Sequence, residues 1–352
     1  MRIVVSSLLV LALLIPAVTA QQGPPDHARR NAPPQVLTRD NLARSVESLA
    51  SAGLSGVLFV QLENQLVLER AFGAANPDLN IPNRPDTVFG IGSLPMDFTM
   101  AAVLLLAQQG RVDLNHSITH YFSDVPADKK AITLRHLLTG RSGLPDFFHN
   151  ALDWDADLAW VDRDEALARL LKAPLKFAPG QDEAHSHAAF GLLAALVEKV
   201  SGQPYMDFLS RHFFTPAGMK RTGEYGQTLG LELKDFAAGA GPQKVGLPNI
   251  PPNWGPTSWL VKGSGGMCST LGDLRRFYAF LRSGKVLDAE HSRAFTGPAI
   301  NLDGSDRGFE LFSAWFPPDN EVYLFVNNRG DRDQFMRFIR ALERLALPER
   351  EK

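Results

Sequence analysis

A chain of 352 residues in which 45% are hydrophobic has enough apolar content to bury a sizeable core. Its 36 basic and 38 acidic residues leave a net charge of −2, which speaks against both a nucleic-acid-binding surface and an acidic tail. A single cysteine, Cys268, excludes an intrachain disulfide, so stability has to come from packing.

Residues 1–20 read as a secretory signal: Arg2, an apolar core over 3–18, and the small-residue site Val18-Thr19-Ala20. The expectation is a secreted or periplasmic protein with no membrane span after signal removal, an uncleaved anchor being the rival reading. Residues 21–35, rich in proline and charge, form a linker. After Thr38, Leu42, Val46 and Leu49 recur at helical spacing. Residues 55–62 and 66–72 then read as two strands around a tight turn at Glu63-Asn64.

Next comes Phe89-Gly90-Ile91-Gly92-Ser93-Leu94-Pro95-Met96-Asp97-Phe98-Thr99. A β-type lead-in passes through two glycines into Ser93, and Pro95 fits only the first turn of the apolar helix that follows. Ser93 is thereby placed at a helix N-terminus, where free backbone N–H groups favour developing negative charge. That is a good seat for a nucleophile; on these residues alone, a plain N-cap explains Ser93 as well.

Three later stretches carry recurring patterns. Ile132-Thr133-Leu134-Arg135-His136-Leu137-Leu138-Thr139 is followed by Ser142-Gly143-Leu144-Pro145, and residues 155–171 read as a helix over a cleft. Pro179-Gly180 is followed, four residues on, by His185-Ser186-His187 and then Leu192-Leu193 in a long helix. Gly265-Gly266-Met267-Cys268-Ser269-Thr270 precedes Asp273-Leu274. The chain closes with a hairpin, 309–316 and 321–326, and a helix over 333–345.

Together with the Ser93 segment, these motifs resemble the serine β-lactamase and penicillin-binding-protein family, in its class C and esterase-like branch. The resemblance runs from about Leu42 to the C-terminal helix. It implies an α/β (α+β) fold, an antiparallel sheet flanked by helices, with Ser93 in the nucleophile's place. One domain, 36–348, would combine an α/β part (36–126 and 245–348) with a helical insertion (127–244).

The departures from the family pattern fall on its chemistry. The lysine of S-x-x-K is Met96, and the Y-x-N is His185-Ser186-His187. No H-x-G or K-T-G strand is found between 287 and 308, where Leu302-Asp303-Gly304-Ser305-Asp306-Arg307 stands. A serine hydroxyl needs a base, and methionine has no proton-accepting nitrogen. The expectation is a non-catalytic binding or regulatory homologue that takes a small-molecule or peptide ligand in a cleft lined by Trp254 and Trp259.

Two other readings stay open. His185, standing where the family has its tyrosine, is placed to act as a neutral base for Ser93, with His187 touching substrate and Asp182 or Glu183 orienting the ring. Alternatively His185 and His187, on the same side of an extended segment, form a metal pair. Spacing fixes no third ligand among His149, Asp182 and Glu183, so neither a metal nor a cofactor is expected. Cys268 reads as a buried small residue rather than a nucleophile.

Overall fold

The computed structural model describes residues 36–148 and 159–348. The signal, the linker, His149 and residues 155–158 of the expected 155–171 helix lie outside the described residues; from Arg163 to Lys172 the chain is helical.

Five strands form the main sheet: β1 (Ser55–Leu62), β2 (Gln65–Phe72), β3 (Ala299–Gly304), β4 (Glu310–Phe316) and β5 (Asn320–Asn328). Their order is β2-β1-β5-β4-β3, with antiparallel pairing throughout. The β1–β2 turn is the expected one. Glu63 and Asn64 both take positive φ, 52° and 60°, as a two-residue turn needs if it is to follow the strand twist.

β1 and β5 are buried on both faces because each side of the sheet is covered. Leu58 pairs with Leu324 and Val60 with Val322, facing the helices Leu42–Ser51 and Arg332–Ala346. Val57 pairs with Phe325 and Phe59 with Tyr323, facing the larger core on the other side. Period-two alternation in the strands thus serves two cores at once.

The second core holds the helix Pro95–Gln108, which is apolar on nearly every side and correspondingly buried. Its lead-in is fixed to the sheet by Phe89, whose ring meets Phe309 and Phe325 edge-on, at 6.3 and 5.9 Å. Phe89–Gly90 also joins a small three-stranded sheet, with Met267–Ser269 in the middle and Gly223–Glu224 on its far side. On the other side of the Pro95–Gln108 helix packs the helix His187–Ser201. Among the described residues no helix is long and apolar enough to cross a membrane.

One expectation needs correction. The strand held to be missing between 287 and 308 exists as β3, although neither H-x-G nor K-T-G is in it. Among the described residues it pairs only with β4, setting Leu302 opposite Phe312 and Asp303 opposite Leu311. An edge strand with half-exposed residues needs no continuous apolar face, so Ala-Ile-Asn-Leu-Asp-Gly carries little strand signal.

Candidate active site

Ser93 precedes the helix and does not cap it. Leu94 occupies the N-cap with no side-chain cap, and Pro95 is the first helical residue. The Ser93 hydroxyl instead donates to Asp303 Oδ2 at 2.9 Å, and the Ser93 backbone N–H donates to the same oxygen at 2.5 Å. Gly92 makes this approach feasible. Its φ is +53°, and a Cβ there would stand 2.3 Å from Asp303 Oδ2.

This contact sets what the serine can do. Acyl transfer builds a negative oxygen that needs preorganised N–H donors. Here the N–H of Ser93 is already committed to a carboxylate, and an anion beside it opposes a second one. Met96, in the lysine's place, packs against the apolar core. Among the described residues no lysine, tyrosine or histidine is hydrogen-bonded to the Ser93 hydroxyl.

His185 and His187 are gathered elsewhere, around Asp146. Ser186 is extended (φ −151°, ψ 103°), which puts the flanking imidazoles on one side. Its hydroxyl donates to the Pro145 carbonyl at 2.7 Å and accepts the Ala189 N–H at 3.0 Å, capping the helix that His187 begins. The Ala188 N–H donates to the Asp146 carbonyl at 2.8 Å. These bonds lock the 145–146 turn onto the helix start and bring the Asp146 carboxylate between the rings. Its Oδ1 lies 3.2 Å from His185 Nδ1 and 2.8 Å from His187 Nδ1. Burial by itself would raise the Asp146 pKa, but the two imidazole hydrogen bonds outweigh it and hold the carboxyl well below its usual range. Phe147 stacks on His187, ring centroids 4.2 Å apart.

The remaining candidates are dispersed. Trp254 is buried, its indole N–H donating to Asn249 Oδ1 at 2.8 Å and its ring meeting Tyr225 edge-on. It packs directly behind Gly90, where a Cβ would be 3.1 Å from the indole. Trp259 is half-buried, with the Lys262 ammonium 5.3 Å from its ring centroid. Asp182, offered as an orienting group, accepts the N–H of its neighbour Glu183. The two carboxylates that do touch the candidate residues, Asp303 and Asp146, escape a reading by motif. The available signals are position alone: Asp146 follows Ser-Gly-Leu-Pro directly, and Asp303 stands in the third-motif slot.

Cys268 is fully buried, with its sulfur 3.6 Å from the Gly223 carbonyl oxygen, and burial pushes its thiol up to about 12. An aromatic disulfide reagent at about pH 8 should therefore leave the folded chain unmodified and titrate one thiol after denaturation. Rapid native-state modification would show that this small sheet opens.

Comparison with known proteins bears on the whole arrangement. A family model described as Beta-lactamase matches residues 40–311. A penicillin-binding protein of Bacillus subtilis is 28% identical over 261 residues, 70% of this chain and 56% of that protein. The D-alanyl-D-alanine-carboxypeptidase/endopeptidase AmpH of Escherichia coli is 31% identical over 232 residues, 64% of this chain and 57% of its own. The chain thus spans about half the length of these relatives. Among solved structures, a beta-lactamase/D-alanine carboxypeptidase from Yersinia pestis, complexed with citrate, has a TM-score of 0.70 at 22% identity, covering 88% of this chain and 100% of that one. The penicillin binding protein from Bacillus halodurans has a TM-score of 0.67 at 23% identity, covering 85% and 98%. Both likenesses establish the fold.

Proposed function

Because this chain belongs to the β-lactamase family, we propose that it is an exported, binding or regulatory member that holds a small acyl or peptide-like ligand without being acylated. The observation that carries this reading is the Asp303 carboxylate on the Ser93 N–H, 2.5 Å away. It removes the one oxyanion donor that could be assigned to Ser93. The substitutions at 96 and 185 separately remove the base. The signal-like residues 1–20 support export.

Covalent labelling tests the reading. The purified chain, exposed to a fluorophosphonate and separately to benzylpenicillin, should show no mass adduct. Nitrocefin turnover should stay well below about 1 per second and be the same in Ser93→Ala. An adduct that disappears in Ser93→Ala would make the protein an acylating enzyme.

One observation favours a second reading. Asp146 bound to His185 Nδ1 is how a carboxylate orients an imidazole that acts as a base. In that case p-nitrophenyl acetate would be cleaved, and the cleavage would be lost in both Ser93→Ala and His185→Ala. Ser93 is bonded to Asp303 and not to this ring, which is why the non-acylating reading is preferred.

A further inference from the structure

We propose that Asp146, His185 and His187 form a binding site for one divalent transition-metal ion, for which zinc is the natural probe. None of the three ligands is bonded to Ser93, so the site does not rest on the non-acylating reading, although a metal on His185 would compete with that ring acting as a base for Ser93.

The donor set comes first. One ligand atom from each residue, two imidazole nitrogens and a carboxylate oxygen, lies within 4.8 Å of the others. Ligands of a tetrahedral ion with bonds of about 2.1 Å stand about 3.4 Å apart. The Asp146–His185 and Asp146–His187 separations, 3.2 and 2.8 Å, need only a small opening to reach that spacing. Two histidines and one carboxylate with a fourth position open are a ligand set zinc accepts, and the fourth position takes water or an anionic oxygen.

Preorganisation comes second. The chain spacing fixes only two ligands, but the fold fixes the third. Asp146 is held against the helix start through the Ala188 N–H, and Pro145 through the Ser186 hydroxyl. Phe147 covers one face of the His187 ring and sets its plane. Both rings already turn Nδ1 toward the carboxylate, so ligation through Nδ1 places the ring proton on Nε2 and requires no rotamer change. Supporting contacts of this kind are what hold metal ligands in register.

The site differs from a simple hydrogen-bonded cluster in one measurable way, its affinity for metal. The full chain, stripped with a chelator and dialysed against zinc, should retain about one zinc per chain. Loss of supporting contacts alone weakens metal sites by about 10–100-fold, so Asp146→Asn and His187→Ala, each deleting a ligand, should weaken binding at least about 100-fold. His116→Ala, outside the cluster, should bind as the natural chain does. A readout that needs no variant guards against misfolding: in imidazole nitrogen spectra of the natural chain, two of the nine histidines should shift on adding zinc. Less than about 0.1 zinc per chain after dialysis, retention by both ligand variants, or shifts confined to other histidines would each overturn the site.

Discussion

An arylboronic acid should bind the Asp303→Ala chain at least about tenfold more tightly than the natural one. Addition of the Ser93 hydroxyl to boron releases a proton and leaves a tetrahedral boronate whose negative oxygen needs the Ser93 N–H. In the natural chain that N–H donates to Asp303 Oδ2 at 2.5 Å. Two negative charges about 4 Å apart repel by about 4 kcal/mol at an effective dielectric of 20. Asp303 is half-exposed, so solvent reduces the effect, and tenfold is the conservative part of it.

Two companion variants separate charge from contact. Asp303→Asn removes the charge but still offers an acceptor to Ser93, so its affinity should fall between the two. Gly92→Ala keeps the charge, but its Cβ would come within 2.3 Å of Oδ2, and the carboxylate, at the end of a flexible side chain, has to yield. It should therefore gain affinity while losing stability, because alanine at φ +53° is strained by about 1–2 kcal/mol. Titration by calorimetry, with Ser93→Ala as the blank, reads all four proteins. Unchanged affinity in a folded Asp303→Ala chain would mean that the carboxylate does not guard Ser93 and that only the missing base keeps it unacylated.

How far the site can be read from sequence follows from which contacts are local. The Glu63-Asn64 turn, the helix start at Pro95 and the same-side placement of His185 and His187 each depend on a few adjacent residues, and the fold agrees with them. Asp146 and Asp303 act across 39 and 210 residues of chain, and only their positions, after Ser-Gly-Leu-Pro and in the third-motif slot, mark them. Asp182 and Glu183 are the carboxylates nearest His185 in sequence, but the ring's partner is Asp146, a contact made by the fold. Trp254 sits in a proline-rich loop of the kind that often lines a cleft. Its burial is decided by the Asn249 acceptor and by the space beside Gly90, which no spacing encodes.

Phe98→Ala should lower folding stability by about 3–5 kcal/mol, the largest loss expected from a single change in the helix behind Ser93. The side chain is 1% exposed and its ring lies between Phe214 and Phe277, at 5.1 and 4.7 Å with interplanar angles of 74° and 80°. Those partners come from the helical turn Ser210–Phe214 and the helix Leu271–Arg282, so a single ring ties three segments together. Each edge-to-face pair adds about 0.5–1.5 kcal/mol to the area buried, and alanine forfeits both while leaving a ring-sized void. Phe98→Leu keeps the apolar contact without the ring geometry and should fall between the two. The measurement is the urea midpoint, with the slope checked to be unchanged. The competing anchor is Thr99, whose hydroxyl lies 2.6 Å from the Gly263 carbonyl oxygen and 2.5 Å from the Tyr205 hydroxyl. A loss under about 1 kcal/mol in Phe98→Ala would mean that this buried polar contact, rather than the aromatic cluster, holds the helix in place. Thr99→Val, which removes the hydroxyl at nearly constant volume, would then be the more damaging change.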